Sequence, residues 1–556
     1  VSIGEILLER GKITADDLQA ALAARKGPND RLDRILVRMG CVPEREVLEV
    51  LGEQLTIPVV DLAEETVDVE MLRRMPSKLV HKRGLVPIGK NGDTMRVATW
   101  DPFDVYAFDE LRMLSGLKVL AVLAPEGDIQ RAIRQHYGVG GEVVQEMMTD
   151  SDVVLLDDSL DENGDTIDEA QEATVVKLVN DIVTEAIRDK ASDIHIEPYE
   201  HELSIRYRID GVLQETVTPP QIQRFQAAII SRIKIMADLN IAEKRLPQDG
   251  AFKMRVQGRE VDFRVSIIPT SSGEAVVIRI LDKQAVLIGL SRLGFGEDTL
   301  ARFSELITRP HGIILVTGPT GSGKTTTLYA ALGQIVSGQI KILTVEDPVE
   351  YRLEGIQQVQ IRPNIGLTFA TGLRAFLRHD PDVILVGEIR DKETAEVAIN
   401  ASLTGHLVFS TLHTNDAVTA NTRLLDMGVE PFLIASSVEG ILAQRLVRTI
   451  CQYCKEEYDP DPEQLPTDFE FQPGERLYRG KGCRECRHSG YSGRLGVYEF
   501  LVMNEELREL IVHRASGSRM LQCARENGMI TLRDDGWEKV RAGLTTPEEV
   551  LRVARA

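Results

Sequence analysis

Ile313-Ile314-Leu315-Val316-Thr317-Gly318-Pro319-Thr320-Gly321-Ser322-Gly323-Lys324-Thr325-Thr326 is the stretch that decides the fold. Its apolar opening reads as a short buried strand, and Thr326-Thr327-Leu328-Tyr329-Ala330-Ala331-Leu332 reads as a helix. Between them, Gly318 to Thr325 has the form G-x-x-x-x-G-K-[ST], in the strand–loop–helix setting that this phosphate loop requires. The glycines let backbone N–H groups turn inward around phosphate oxygens, and the helix N-terminus adds partial positive charge. Gly318, Pro319, Thr320, Gly321, Ser322, Gly323, Lys324, Thr325 and Thr326 are therefore the expected nucleotide-binding residues. Lys324 is expected on the β- and γ-phosphates of ATP or GTP, and Thr325 on Mg2+.

Outward from the loop, the chain from about Gly289 alternates apolar strands with amphipathic helices, which predicts a parallel α/β sheet. Val383-Ile384-Leu385-Val386 ends in Gly387-Glu388, an apolar strand closing on an acidic residue in the manner of a Walker B segment. Glu388 is expected to orient or deprotonate the attacking water. Lys341-Ile342-Leu343-Thr344-Val345 runs likewise into Glu346-Asp347. Carboxyl ends of parallel strands are where such sheets bind ligands, so Glu346 is expected to place metal or water. His406 and His413 flank Leu407-Val408-Phe409-Ser410-Thr411, and spacing alone leaves a structural and a catalytic role open.

Six cysteines in 556 residues do not make a disulfide framework. Cys451-x-x-Cys454 and Cys483-x-x-Cys486 form two chelating pairs, which predicts a structural Zn2+ site with all four tetrahedral positions filled. A thiol-exchange pair is the competing reading, and two pairs in one chain favour the metal. Cys41 and Cys523 read as small buried apolar residues.

Before the sheet, the apolar residues of the first 55 positions repeat with a 29-residue offset: Leu7, Gly11 and Ile13 correspond to Leu36, Gly40 and Val42. Each unit reads as a short helix, a terminating Gly and a second amphipathic helix, giving a helical docking domain over 1–62. Residues 63–140 mix β-rich runs such as Met95-Arg96-Val97-Ala98 with helical segments, a small α/β domain. Residues 141–172 hold twelve Asp or Glu and no Lys or Arg, which predicts an extended linker. An α+β domain follows over 173–286, with a helix around Val175–Ile187, alternating strands and a hairpin turn at Gly258. The nucleotide domain is expected over 287–500, with the zinc subdomain at 451–486, and a helical region over 501–556. Thr546-Pro547-Glu548-Glu549 reads as an N-cap, a first-turn Pro and a capping-box Glu.

No stretch approaches the roughly 18 uninterrupted apolar residues of a membrane helix. Val1-Ser2-Ile3-Gly4-Glu5 has neither a basic region nor an apolar run, so no secretory signal is expected and action at a membrane would pass through partners on the cytoplasmic side. A net charge of −21 speaks against broad phosphate-backbone binding, and no nucleic-acid partner is expected. A nucleic-acid translocase and a non-catalytic zinc scaffold are the rival classes, weakened by that charge and by Glu388 respectively.

Arg309-Pro310-His311-Gly312 before the loop, Leu343 to Tyr351 (an "Asp box"), Phe376 to Asp391 around the Walker B strand, Gly405 to Asp416 (a "His box") and Ala443-Gln444-Arg445-Leu446-Val447-Arg448 before the cysteines resemble the secretion and type IV pilus ATPases. Thr344-Val345-Glu346-Asp347 and Met427-Gly428-Val429-Glu430-Pro431-Phe432 are more similar to the type II secretion branch, general secretion pathway protein E, than to the pilus extension motors. The resemblance implies a RecA-like core, a tetracysteine zinc subdomain and a homohexameric ring, with ATP held between that core and the domain before it. It also implies ATP hydrolysis that drives domain motion against cytoplasmic domains of inner-membrane secretion proteins. His413 joins the catalytic set on the same ground. Arg245 and Arg264 are the expected arginines for transition-state charge, and Arg208 is secondary. The N-terminal repeat resembles a module whose copies begin Arg-Leu-Gly and which in some relatives binds cyclic di-GMP. Here the copies begin Ser2-Ile3-Gly4 and Arg31-Leu32-Asp33, so docking to a cytoplasmic partner is expected in preference to that ligand.

Overall fold

The computed structural model describes residues 3–25, 31–137, 169–281 and 288–554, except 63–64, 66, 69–70, 73–74, 76–77, 257, 462–464, 470 and 472–474. The chain divides into two compact units, Val1–Ile280 and Leu281–Ala556.

In the first unit the 29-residue repeat becomes two helical hairpins, Ile3–Glu9 with Ala15–Ala24 and Leu32–Arg38 with Glu44–Leu55. Equivalent residues of the two copies, Leu7 with Leu36 and Ile13 with Val42, are buried in one shared core. A three-stranded sheet follows, with β1 (Val86–Asn91), β2 (Thr94–Thr99) and β3 (Lys118–Leu123) in the order β1-β2-β3. Helices Val105–Ser115 and Glu126–Tyr137 accompany it. The stretch 141–168, read as linker, lies outside the described residues, and helix Glu169–Arg188 already occupies the last four positions of that reading. Its apolar face (Leu178, Val179, Ile182, Val183) is buried, and Tyr207 donates its hydroxyl to Ile182 O at 3.0 Å. The accompanying six-stranded sheet has the order β6-β5-β4-β9-β8-β7. Its strands are β4 (Ala191–Pro198), β5 (Leu203–Ile209), β6 (Val212–Glu215), β7 (Gln248–Val256), β8 (Arg259–Thr270) and β9 (Gly273–Leu281). Strands β7 and β8 pair antiparallel from Gln248↔Ile267 to Val256↔Arg259, so Gly258 does sit in a hairpin turn.

The second unit is built on a seven-stranded sheet of order β12-β11-β13-β14-β10-β15-β18. Its strands are β10 (Gly312–Thr317), β11 (Ile342–Glu346), β12 (Ile356–Gln360), β13 (Val383–Val386), β14 (Leu407–Leu412), β15 (Val438–Ile450) and β18 (Tyr491–Val502). Every residue of β10 is buried. Along it, Ile313 and Leu315 enter the core on one face while Ile314 and Val316 enter the core on the other, because successive strand side chains alternate. Helices therefore cover both faces, as a parallel sheet requires. The last strand departs from the all-parallel expectation: β18 runs antiparallel to β15 from Gly440↔Val502 to Ile450↔Tyr491. This long ribbon carries the cysteines at its tip, beside the short pair β16 (Lys455–Tyr458) and β17 (Leu477–Gly480).

Four helices close the chain, Glu505–Val512, Gly517–Glu526, Leu532–Arg541 and Pro547–Val553. Thr546 does precede the last with Pro547 in its first turn, but its side chain makes no capping bond. Glu549 is taken instead by Arg448, whose backbone N–H donates at 2.9 Å and whose Nη2 donates at 2.7 Å. Tertiary pairing has displaced the local cap, because an aligned guanidinium bond outweighs a neutral N–H bond. No helix among the described residues is long and apolar enough to cross a membrane.

Candidate active site

The strand order β11-β13-β14-β10 lines up four carboxyl ends on one edge of the sheet. Glu346 ends β11, Glu388 follows β13 by two residues, His413 follows β14 directly, and the phosphate loop follows β10. With neighbouring strands about 4.8 Å apart, residues separated by up to 95 positions in sequence become neighbours.

Gly318 and Gly323 are required by close approach. A Cβ on Gly318 would lie 2.6 Å from both Gln444 O and Ser322 Oγ, and one on Gly323 would lie 2.7 Å from Gln444 Nε2. Both have φ in the left-handed range, at 145° and 90°. Helix Lys324–Ile335 begins directly after Gly323. Ser322 Oγ is buried without a hydrogen-bond partner, and Pro319, Thr320, Gly321 and Thr325 are exposed. An orphaned hydroxyl, a helix N-terminus and a lysine around a loop too tight for side chains fit a polyphosphate. Thr325, exposed in the first helical turn beside Thr326, has a free approach for Mg2+.

Lys324 Nζ donates to Gly318 O at 2.8 Å and to Pro319 O at 3.0 Å. Burial lowers its pKa to about 8; Glu388 opposes that shift and the charge of Arg445 adds to it. Glu388 has only 14% of its side chain exposed and is held by the Arg390 guanidinium and by His413, whose Nε2 lies 3.2 Å away. Burial pushes its pKa up, but Arg390 and His413 outweigh that and hold it below the usual carboxylate value. A carboxylate kept ionised beside a phosphate loop is suited to accept a proton from water or to aim it.

The two histidines now separate. His413 bonds Glu388, while His406 lies at the opposite end of β14 with Nδ1 2.8 Å from Ala401 O. Glu346 is 4% exposed and accepts from Thr344 Oγ1 at 2.5 Å, from the Tyr329 hydroxyl and from Gln358 Nε2 at 3.1 Å. Its oxygens are therefore engaged by protein donors, which sequence spacing did not foresee. Three more groups were missed. Gln444 accepts from Thr327 Oγ1 at 2.8 Å, Arg445 donates from Nη2 to Asn415 O at 2.9 Å, and Arg390 spans Glu388 and Asp347. Arg390 had a signal, a cation two residues after the acid that ends the strand. The others depend on β15 pairing with β10, which no local pattern reveals.

The candidate arginines belong to the first unit, and the phosphate loop to the second. Arg245 is largely exposed and held by Glu243, through Nε at 3.1 Å and Nη2 at 2.9 Å. Arg264 lies on β8 opposite Ala251, and Arg208 on β5 donates from Nη1 to Gly211 O at 3.2 Å.

At the ribbon tip the sulfurs of Cys451, Cys454, Cys483 and Cys486 all lie within 4.8 Å of one another. Cys451–Cys483, Cys454–Cys486 and Cys483–Cys486 are 3.7, 3.8 and 3.7 Å apart. Tetrahedral bonds of about 2.3 Å would set sulfurs roughly 3.8 Å apart, so the cluster fits zinc. Two backbone donors, Cys483 N–H at 3.1 Å and Gly490 N–H at 3.3 Å, point at Cys486 Sγ, as suits a thiolate ligand.

Residues 168–552 match the family described as type II/IV secretion system protein, and residues 55–143 match the MshEN domain. Among curated relatives, type II secretion system protein E of Xanthomonas campestris pv. campestris is 46% identical, covering 99% of this chain and 98% of the relative. Type II secretion system ATPase E of Vibrio cholerae is 46% identical over 87% of this chain and 97% of its own length. The type IV pilus assembly ATPase PilB of Myxococcus xanthus is 42% identical over 99% of this chain and 98% of its own. The matched span of the family includes every strand that carries the site, and the chain therefore belongs to the type II/IV secretion system protein family as one of its ATP-hydrolysing enzymes.

Proposed function

We propose that this ATPase drives pseudopilus assembly in type II secretion from the cytoplasm, as a homohexamer acting on cytoplasmic domains of inner-membrane secretion proteins. The observation that carries the chemistry is Glu388, ionised between Arg390 and His413 at the strand end beside the phosphate loop. In this reading Gly318 to Thr326 hold ATP, Lys324 meets its β- and γ-phosphates, and Thr325 holds Mg2+, which supplies charge neutralisation on the phosphates. Glu388 orients or deprotonates the attacking water, His413 holds Glu388, and Glu346 supports metal or water placement. Arg245 and Arg264 neutralise charge that develops in the transition state, with Arg208 secondary. Removal of such an arginine lowers turnover about 10³-fold or more in related chemistry. The cysteine cluster holds a structural Zn2+ with no role in the reaction.

Type II secretion is preferred to pilus assembly because several secretion relatives stand at 46–49% identity against 42% for the pilus relative. The pilus relative, matched over almost all of both chains, keeps pilus assembly as the second reading. The test is ATP turnover against protein concentration for the native chain and Glu388→Gln, with light scattering alongside. Turnover that rises with hexamer formation and is lost in the variant supports the motor. Turnover indifferent to both removes Glu388 and the coupling of assembly to catalysis.

A further inference from the structure

Glu346 is bonded from three different elements. Thr344 precedes it by two on β11 and so shares its face; Tyr329 comes from the helix that starts at Lys324; Gln358 comes from β12. Thr344 and Gln358 are register partners in the β11–β12 pair. The Gln358 amide is itself locked, its Oε1 accepting from Leu353 N–H at 2.7 Å and its Nε2 also donating to Tyr351 O at 2.9 Å. Tyr329 is 2% exposed. Burial, followed by the charge of Glu346, pushes its pKa up, so the phenol remains a donor throughout the working pH range. Glu346 lies next to the strand end that carries Glu388, since Gly387 N–H donates to Val345 O at 2.8 Å.

We propose that Tyr329 and Gln358 are positioning residues for Glu346, fixing its carboxylate relative to the phosphate loop. Tyr329 stands five residues after Lys324, about 7.5 Å along the helix, so its bond ties the placement of Glu346 to the helix that receives the phosphates. Gln358 sets the other oxygen from the sheet edge and joins it to the Tyr351–Leu353 turn. A carboxylate with several donors has one orientation, whereas one with a single donor has several, and a catalytic group gains from the first. The proposal rests on the assignment of Glu346 to the reaction made above.

The test measures kcat and KM for MgATP on the full chain, with thermal unfolding, for Glu346→Gln, Tyr329→Phe, Gln358→Ala and Tyr329→Phe/Glu346→Gln. Tyr329→Phe and Gln358→Ala are expected to lower kcat about tenfold with KM within about twofold. The double variant is expected to be no slower than Glu346→Gln alone, because the residues act as one unit. Gln358→Glu would set a second carboxylate against Glu346, so the two would share a proton and kcat would gain activity toward acid pH relative to the native profile. A merely structural role would not move that profile. Glu346→Gln impaired with Tyr329→Phe and Gln358→Ala at native kcat would overturn the positioning role and leave Glu346 in place. Glu346→Gln at native kcat would overturn both. Should Tyr329→Phe fail to fold, the Gln358→Glu pH profile decides alone, an unchanged profile counting against the proposal.

Discussion

Lys324 enters the site with its ammonium already weakened. Burial brings its pKa to about 8, and Arg445 contributes while Glu388 resists. Above pH 8 the side chain loses its proton, and phosphates then bind only with proton uptake. We expect the Kd for ATP to be flat from pH 6.5 to 7.5 and to rise by up to about tenfold per pH unit above 8. Calorimetric titration in buffers of different ionisation heat checks this, and Lys324→Arg, which stays charged, should abolish the slope. The individual site residues differed in how readable they were. The spacings that single out Gly318 to Thr326, Glu388 and the four cysteines are local ones, and the structure sets the loop and Glu388 at one edge of the sheet and the four sulfurs within 4.8 Å of one another. Arg445 and Gln444 were not, since their place beside the loop depends on β15 pairing with β10 across more than a hundred residues. For Glu346 the position was legible but the three donors on its oxygens were not.

Between elements, one carboxylate joins the site to the C-terminal helices. Glu499 on β18 accepts from Ala417 N–H at 2.7 Å and from Leu532 N–H at 3.4 Å, the first residues of two helices. The first of these helices follows the turn that contains His413 and Asn415. Glu499→Ala would leave two buried donors unmet, and a loss of about 2–3 kcal/mol in the second unit is expected by denaturant titration, with Glu499→Gln nearer native. The four-cysteine cluster gives a separate expectation. The purified chain should carry one zinc by atomic spectroscopy, and Cys454→Ser should lower that content and render the ribbon tip at 451–490 protease-sensitive. Local pattern could find these helices and strands, since periodicity and Gly termination lie within one element. It could not give β18 its antiparallel direction, nor Glu549 its partner Arg448, because both depend on the partner strand.

Over the whole molecule, the two units, Val1–Ile280 and Leu281–Ala556, differ in what their side chains leave open to a ligand. In the first, Arg31 pairs with Asp33 at 2.6 Å and with Asp101 at 2.5 Å, so carboxylates occupy the guanidinium that opens the second repeat copy. We expect no saturable binding of cyclic di-GMP up to roughly 100 μM by calorimetry. Asp33→Gly, which restores Arg-Leu-Gly and removes one carboxylate, should bind it more tightly than the native chain. The 29-residue repeat was legible as two helical hairpins, Ile3–Glu9 with Ala15–Ala24 and Leu32–Arg38 with Glu44–Leu55, whereas the acidic stretch read from composition lies, over 141–168, outside the described residues.

The ribbon β15–β18 has a mechanical consequence. Gln444 approaches the phosphate loop from β15, and Cys451, seven residues further on, directly follows the end of that strand, about 23 Å away. A twisted two-stranded ribbon whose far end is gathered by four clustered cysteines would act as a cantilever, bending little along its length and passing rotation at its root on as displacement at its tip. A tilt of about 5° beside the phosphate loop would sweep the cysteines through about 2 Å, enough to register on any surface resting against them.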